Sequence, residues 1–195
     1  MDYIFIIGPS AVGKTTLARQ LYRHYGGVYL EQNMVPEFVI PEDAADPGLL
    51  EERVCWDNVL LQLRYFYDRG FRNIVALDFD DYRARELPAL FRGRKFIILR
   101  LVSGDPGQIA RQMLRRRYRE GGLYAPERVE RSNRVISERP LIPNEVKIDI
   151  AGKTKEEVFR AAVDVIDGFE PETDYDYRPG DGQGYLSWVK SRGLR

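Results

Sequence analysis

The sequence predicts an α/β protein built on a five-stranded parallel sheet flanked by helices. Two observations carry the prediction. Short apolar runs alternate with longer segments of helical periodicity, the pattern of parallel strands joined by helical crossovers. The first alternation is an apolar run, a glycine-rich turn and a helix in direct succession, and the turn reads Gly8-Pro9-Ser10-Ala11-Val12-Gly13-Lys14-Thr15. The chain has 195 residues, enough for one well-buried domain.

Tyr3–Ile7 is the first strand, an unbroken apolar run of the kind buried on both faces of a parallel sheet. Residues 15–25 read as a helix closed by Gly26-Gly27. Residues 28–30 form a short second strand, and a loop rich in proline and acid follows over 36–47. Residues 49–69 read as a long helix, apolar at Val54, Val59, Leu60, Leu63 and Phe66-Tyr67, with a stop at Gly70. Ile74–Leu77 is the third strand and ends at Asp78. A short helix over 83–91 is interrupted or started near Pro88, and 96–101 is the fourth strand. Asp105-Pro106 supplies an N-cap and a proline at N1 for a helix with Ile109, Met113 and Leu114 on its apolar side. A second arginine-bearing helix follows Pro126, and residues 146–150 are the last strand. Thr154 and Glu157 form a capping box ahead of Val158, Ala161, Ala162, Val165 and Ile166. From Glu170 the composition turns to Pro, Gly, Asp and Tyr. The domain is therefore expected over 1–168, with an irregular tail over 169–195 that includes a short helix near Trp188.

Composition narrows the chemistry. Thirty basic residues balance 30 acidic ones, so no overall field draws the chain to nucleic acid or to an anionic membrane. Cys55 is the only cysteine and His24 the only histidine, which excludes an intrachain disulfide and Cys- or His-rich metal sites. His24 sits near the end of the first helix, a surface position. The chain opens into a strand without a signal sequence and holds no apolar run of membrane length, so a reduced, cytoplasmic setting is expected.

The turn 8–15 matches G-x-x-x-x-G-K-[ST], the phosphate-binding P-loop, in its required strand–loop–helix context. Glycines let backbone N–H groups close around an anion, and the helix N-terminus adds its dipole. Lys14 is expected to reach the β- and γ-phosphates and the Thr15 hydroxyl to ligate Mg²⁺. In such sheets ligands lie outside the C-terminal ends of the strands. That rule selects Glu31, Gln32 and Asn33 after strand two, and Asp78, Asp80 and Asp81 after strand three. Asp78, directly after an apolar strand, is placed to hold Mg²⁺ or to accept a proton from an attacking hydroxyl. Asp80 shares the candidacy, and Asp81 caps the helix that follows. Glu31, Asn33 and Asp80 are candidate acceptor ligands. Arg111, Arg115 and Arg119 recur every four residues, with Arg116 and Arg117 beside them and Gly121-Gly122 after them. This segment reads as a lid, about 105–140, that closes over phosphates; a solvated basic face and a nucleic-acid patch are the alternatives.

Taken together, residues 1–168 resemble the small P-loop kinases, which include the shikimate, gluconate and nucleoside monophosphate kinases. Ser137-Glu138-Arg139-Pro140-Leu141-Ile142 is similar to the E-R-x-P-L-Y stretch of shikimate kinases, and the resemblance implies that Arg139 faces the reaction centre. Asp149-Ile150-Ala151-Gly152-Lys153-Thr154 is similar to the family loop whose backbone lies against adenine, which implies a nucleotide contact at Gly152. Leu77-Asp78-Phe79-Asp80-Asp81-Tyr82-Arg83 is similar to a strand-three segment of gluconate-kinase-like and polynucleotide-kinase-like proteins, and Gly8-Pro9-Ser10 to guanylate kinases. The chain departs from shikimate kinases, which carry D-x-D after strand two and a glycine-rich triplet after strand three, so shikimate is not the expected acceptor. What the resemblance implies is an ATP- and Mg²⁺-dependent phosphotransferase acting on a small molecule. Its catalytic residues would be Lys14, Asp78, Arg115, Arg119 and Arg139. Its nucleotide contacts would be Gly8, Pro9, Ser10, Ala11, Val12, Gly13, Lys14, Thr15, Thr16 and Gly152. A nucleotide-binding regulator with little phosphotransfer and a kinase acting on a polynucleotide end are the two other readings. Neither a membrane nor a nucleic-acid partner is expected.

Overall fold

Strands β1 (Tyr3–Ile7), β3 (Ile74–Leu77) and β4 (Phe96–Val102) are buried along their whole length, as apolar runs without polar alternation require. With β2 (Val28–Glu31) and β5 (Glu145–Asp149) they form one sheet in the order β2-β3-β1-β4-β5, parallel throughout. The computed structural model describes residues 1–120 and 126–180 (for 106 and 118–120, the backbone only). The chain turns to one side of β1 for β2 and β3 and to the other for β4 and β5, so the strand order reverses at β1.

Alternation along the strands sorts the core into two layers. Ile4, Ile6, Val75, Leu77, Ile97 and Leu99 face α1 (Lys14–Tyr25) and α7 (Lys155–Gly168). Tyr3, Phe5, Ile7, Ala76, Phe96 and Ile98 face α2 (Pro47–Asp68) and the short α3 (Asp81–Ala84) and α4 (Leu87–Leu90). The second layer is aromatic: Phe5 contacts Phe79, Phe91 and Phe96, and Trp56 of α2 contacts Phe79. Two helix starts are capped as their residues dictate. Asp46 accepts the Leu49 N–H at 3.0 Å ahead of Pro47, and Thr154 with Glu157 completes a capping box. The interruption expected near Pro88 divides the segment into two short helices, because Pro88 has no N–H to continue the ladder and is tolerated only in a first turn.

Helices α5 (Pro106–Glu120) and α6 (Pro126–Glu138) pack on each other beyond the end of β4. Residues 169–180 have no regular structure but are fastened down. Gly93 N–H donates to Thr173 O at 3.0 Å, and the Tyr175 and Tyr177 hydroxyls donate to Pro88 O and Arg85 O. The Gly121-Gly122 pair and the helix expected near Trp188 lie outside the described residues. Among the described residues no helix is long and apolar enough to cross a membrane.

Candidate active site

Register brings the P-loop and Asp78 together. β1 pairs with β3 as Ile6↔Leu77, so the chain leaves the two strands at neighbouring points. β4 runs past on the other side, where a Cβ at Gly8 would lie 2.4 Å from the Leu101 carbonyl oxygen. Gly8 must therefore be glycine, and its φ of 143° requires the same. Ala11 (φ 62°) and Gly13 (φ 105°) also take left-handed conformations, which turn successive N–H groups to one side and form an anion nest. Open space surrounds the position of a Cβ on Gly13. No side chain caps α1, so its first-turn N–H groups and dipole are offered to whatever the loop encloses. Thr15 and Thr16, both half-buried, stand in that turn.

Lys14 spans the loop. Its Nζ donates to Gly8 O at 3.1 Å and Pro9 O at 3.2 Å and stands 3.4 Å from Asp78 Oδ1. Burial lowers the ammonium pKa, the Asp78 carboxylate opposes that shift, and the Arg116 charge adds to it. Asp78 holds a φ of 71°, a left-handed conformation that Asp tolerates better than most residues. Its side chain is 36% exposed, against 12% for Lys14. The Thr15 hydroxyl and Asp78 carboxylate would make a sparse metal-binding set, and among the described residues no group of three or more His, Cys, Asp or Glu could hold a metal ion. That set fits Mg²⁺ brought in on nucleotide phosphates, which needs only one or two protein ligands.

The strand-two candidates separate. Glu31 lies beside Tyr29, whose hydroxyl donates to it, and 4.0 Å from Arg19 of α1. Burial and that bond push the Tyr29 pKa up to about 12. Asn33 is exposed in the turn after β2. Gln32, selected from the sequence by position but given no role, extends the β2–β3 ladder through its N–H to Leu77 O at 3.1 Å. Its side-chain Oε1 is buried and has no hydrogen-bond partner. After β3, Asp80 is the exposed N-cap residue of α3.

Arg139 is engaged by protein on every side. Nε and Nη2 donate to Asp81 at 2.9 and 3.0 Å, Nη1 and Nη2 to Glu145 at 3.0 and 2.6 Å, and Nη1 also to Pro140 O at 2.8 Å. All five guanidinium N–H groups are used. Arg100, buried on β4, places its Nε 3.3 Å from Glu145 and donates to Ile136 O and Arg139 O. Two arginines and two carboxylates thus form one neutral buried network.

On α5 the helical phase separates the arginines. At about 100° per residue, Arg116 stands within about 60° of the buried Ile109 and Met113, while Arg111 and Arg115 stand at least about 120° away from both. Arg111 pairs with Asp105 at 2.8 Å, Arg115 and Arg116 are both exposed, and the side chain of Arg119 lies outside the described residues. Arg116 is the α5 arginine whose charge acts on Lys14. Its signal was in the sequence: three residues after Met113 rather than in the four-residue arginine row.

The loops after β4 and β5 are fastened to each other beside the P-loop. Asp149 accepts the Gly104 and Ala151 N–H groups at 2.9 Å; burial raises its pKa, and those bonds hold it below the usual range. Gly152 has a φ of 69° and gives its N–H to Gln108 Oε1 at 3.3 Å. Asn133 of α6 bonds both the N–H and the C=O of Ser103, at 2.9 and 2.7 Å. Ser103, Asn133, Glu130, Arg134, Ser137 and Glu138 line a cleft of about 330 Å³, large enough for a small ligand.

No protein-family model and no curated protein matches the sequence. Solved structures match the fold. A gluconokinase from Sinorhizobium meliloti 1021 is 14% identical, with a TM-score of 0.55 over 100% of this chain and 98% of its own. The tunicamycin resistance protein of Deinococcus radiodurans is 19% identical, with a TM-score of 0.56 over 89% of this chain and 99% of its own. Thymidylate kinase from Candida albicans is 15% identical, with a TM-score of 0.55 over 85% of this chain and 91% of its own. At these identities the likeness is one of fold: the chain has the architecture of the small P-loop kinases.

Proposed function

We propose that this chain is a phosphotransferase that moves the γ-phosphoryl of ATP to a small-molecule acceptor. The observation that carries the reading is the meeting of Lys14 with Asp78, 3.4 Å apart, at the mouth of a P-loop whose backbone is already turned for an anion. The fold shared with gluconokinase and thymidylate kinase supports it.

Each residue then has a task. The N–H groups of Gly8–Thr16 receive the phosphates, and Lys14 exchanges its two carbonyl partners for phosphate oxygens. Thr15 and Asp78 hold Mg²⁺, which when bound neutralises charge on the β- and γ-phosphates. Asp78, with Asp80 beside it, takes the proton of the attacking group. The backbone at Gly152 flanks the adenine. Helices α5 and α6 act as the lid, with Arg116 on its inner face and Arg115 and Arg119 brought in on closure. Arg139 positions the turn after β3 by holding Asp81. The acceptor lies over the ends of β2 and β3 against α2, within reach of Gln32, Asn33 and Asp80.

A screen of labelled-phosphoryl transfer from ATP over sugars, polyols, nucleosides and nucleotides tests this. ATP turnover that depends on an added acceptor is the expected result. Nucleotide binding without acceptor-dependent turnover would make the chain a regulator instead, and salt-sensitive binding of oligonucleotides with end-labelling would make it a polynucleotide kinase.

A further inference from the structure

Helix α2 is less amphipathic than α1, α6 and α7, because it is apolar on its solvent side as well as on its core side. Trp56, Val59 and Leu63 form its buried seam. At about 100° per residue, Leu61 stands about 140–160° round the helix from that seam, and Val54 and Tyr65 lie within about 40° of Leu61. Leu61, Tyr65 and Val54 are 65%, 56% and 37% exposed and form one outer stripe. Such a stripe is a candidate contact surface only if something shows what covers it.

The charges beside the stripe supply that. Arg53, Asp57, Arg64 and Asp68 run along one edge of it, and Glu51 and Arg69 along the other; all six are exposed. Among the described residues none of the six takes part in an ion pair. Arg53 and Asp68 are equidistant from a point between Leu60 and Leu61, and so are Asp57 and Arg64. Glu51 and Arg69 are equidistant from Leu60, half a residue or about 0.75 Å away. Every one of these pairs joins opposite charges on the same edge. In an antiparallel helix pair about a two-fold axis, residues equidistant from the axis on the same edge come level with each other across the contact. Arg53 of one copy then meets Asp68 of the other, Asp57 meets Arg64, and Glu51 meets Arg69, each twice. Tyr65 comes beside Val54, and Leu61 lies beside its own copy at the axis. A parallel pair levels each residue with its own copy and makes none of these matches. A charge pattern that is its own complement fits a second copy of the same chain.

We propose that the outer face of α2 docks a second copy of this chain as an antiparallel helix pair. The apolar stripe holds the contact, since exposed ion pairs add little affinity singly. The charges select the orientation. The stripe lies on the side of α2 turned away from the sheet, so the inference is independent of the phosphotransferase reading. A helix of 22 residues is about 33 Å long, which places the contact at the small end of specific interfaces and makes the dimer a weak one.

Sedimentation equilibrium of the full chain over a concentration series tests this. Half-association near roughly 10–100 μM is expected for so small a contact. Leu61→Glu sets two carboxylates together at the axis and should weaken the dimer at least about 100-fold. Asp57→Arg alone and Arg64→Asp alone each set like charges opposite one another and should weaken it about tenfold. Mixed in equal amounts, these two single variants should associate as strongly as the wild type, because one helix then presents arginines where the other presents aspartates. Recovery on mixing also shows that both variants are folded. The mass of one chain at every concentration would overturn the inference and leave the face to another segment of the chain or to a different protein. A dimer indifferent to Leu61→Glu would overturn it by placing the contact elsewhere. Single-charge variants that associate like the wild type, or that stay apart when mixed, would overturn the antiparallel pairing.

Discussion

At the scale of single residues the account turns on Asp78. Its left-handed backbone and its 3.4 Å approach to Lys14 set it apart from Asp80, which stands at the N-cap position of α3 without a capping side-chain bond. A carboxylate that accepts a proton or holds Mg²⁺ loses both abilities as an amide of the same shape. Asp78→Asn is therefore expected to slow phosphoryl transfer by about 10²–10⁴-fold while ATP affinity changes little, as single-turnover and equilibrium binding measurements would show. Asp80→Asn should keep most of the turnover. The reverse pattern would give the role to Asp80. The P-loop letters and the Asp that ends β3 were legible in the sequence because both follow from chain order. The αL conformation of Asp78 was not, since a non-glycine φ above zero is fixed by surrounding structure and leaves no composition signal.

Among the elements, α5 decides whether the arginines serve the reaction. Arg116 shares the face of Ile109 and Met113, and its charge acts on Lys14; Arg115 lies on the outer face. Arg116→Ala should lower kcat more than it weakens ATP binding, because lid contacts to phosphate form mainly in the transition state. Arg115→Ala should lower kcat less. Amide exchange in α5 should slow when ATP and the acceptor are both bound. Equal exchange with and without ligands, and normal turnover in both variants, would leave α5 a solvated basic helix. The strands show why elements were easier to read than their partners. Apolar runs located β1 and β3 residue for residue. β5, expected over 146–150, runs over 145–149, and its first residue, Glu145, is buried against Arg100 and Arg139. An apolar pattern cannot register a buried charge whose partners lie on other elements. The E-R-x-P-L similarity implies a reaction-centre arginine at 139; in the structure its guanidinium is engaged by Asp81, Glu145 and the Pro140 carbonyl.

Across the whole molecule, that network ties β4, β5, the end of α6 and the turn after β3 into one frame around the site. Removing one member leaves opposite charges buried without compensation. Arg139→Met is expected to cost about 3–5 kcal/mol of stability, read as a lower urea midpoint at unchanged slope. An unchanged midpoint with lost turnover would return Arg139 to the reaction centre. Fold and P-loop were both visible in the sequence at the level of architecture, but only the structure shows that Arg83 and Arg139 are already paired with Glu52, Glu86, Asp81 and Glu145. The claim on which everything else depends is that this frame transfers a phosphoryl group. The direct measurement is single-turnover transfer of label from γ-labelled ATP into acceptor by the wild-type chain and by Lys14→Ala, with circular dichroism confirming that both are folded. Acceptor-dependent transfer by the wild type, nearly abolished in Lys14→Ala, is the predicted result; equal transfer by the two folded proteins, or none by the wild type with any sugar, polyol, nucleoside or nucleotide, would contradict the account.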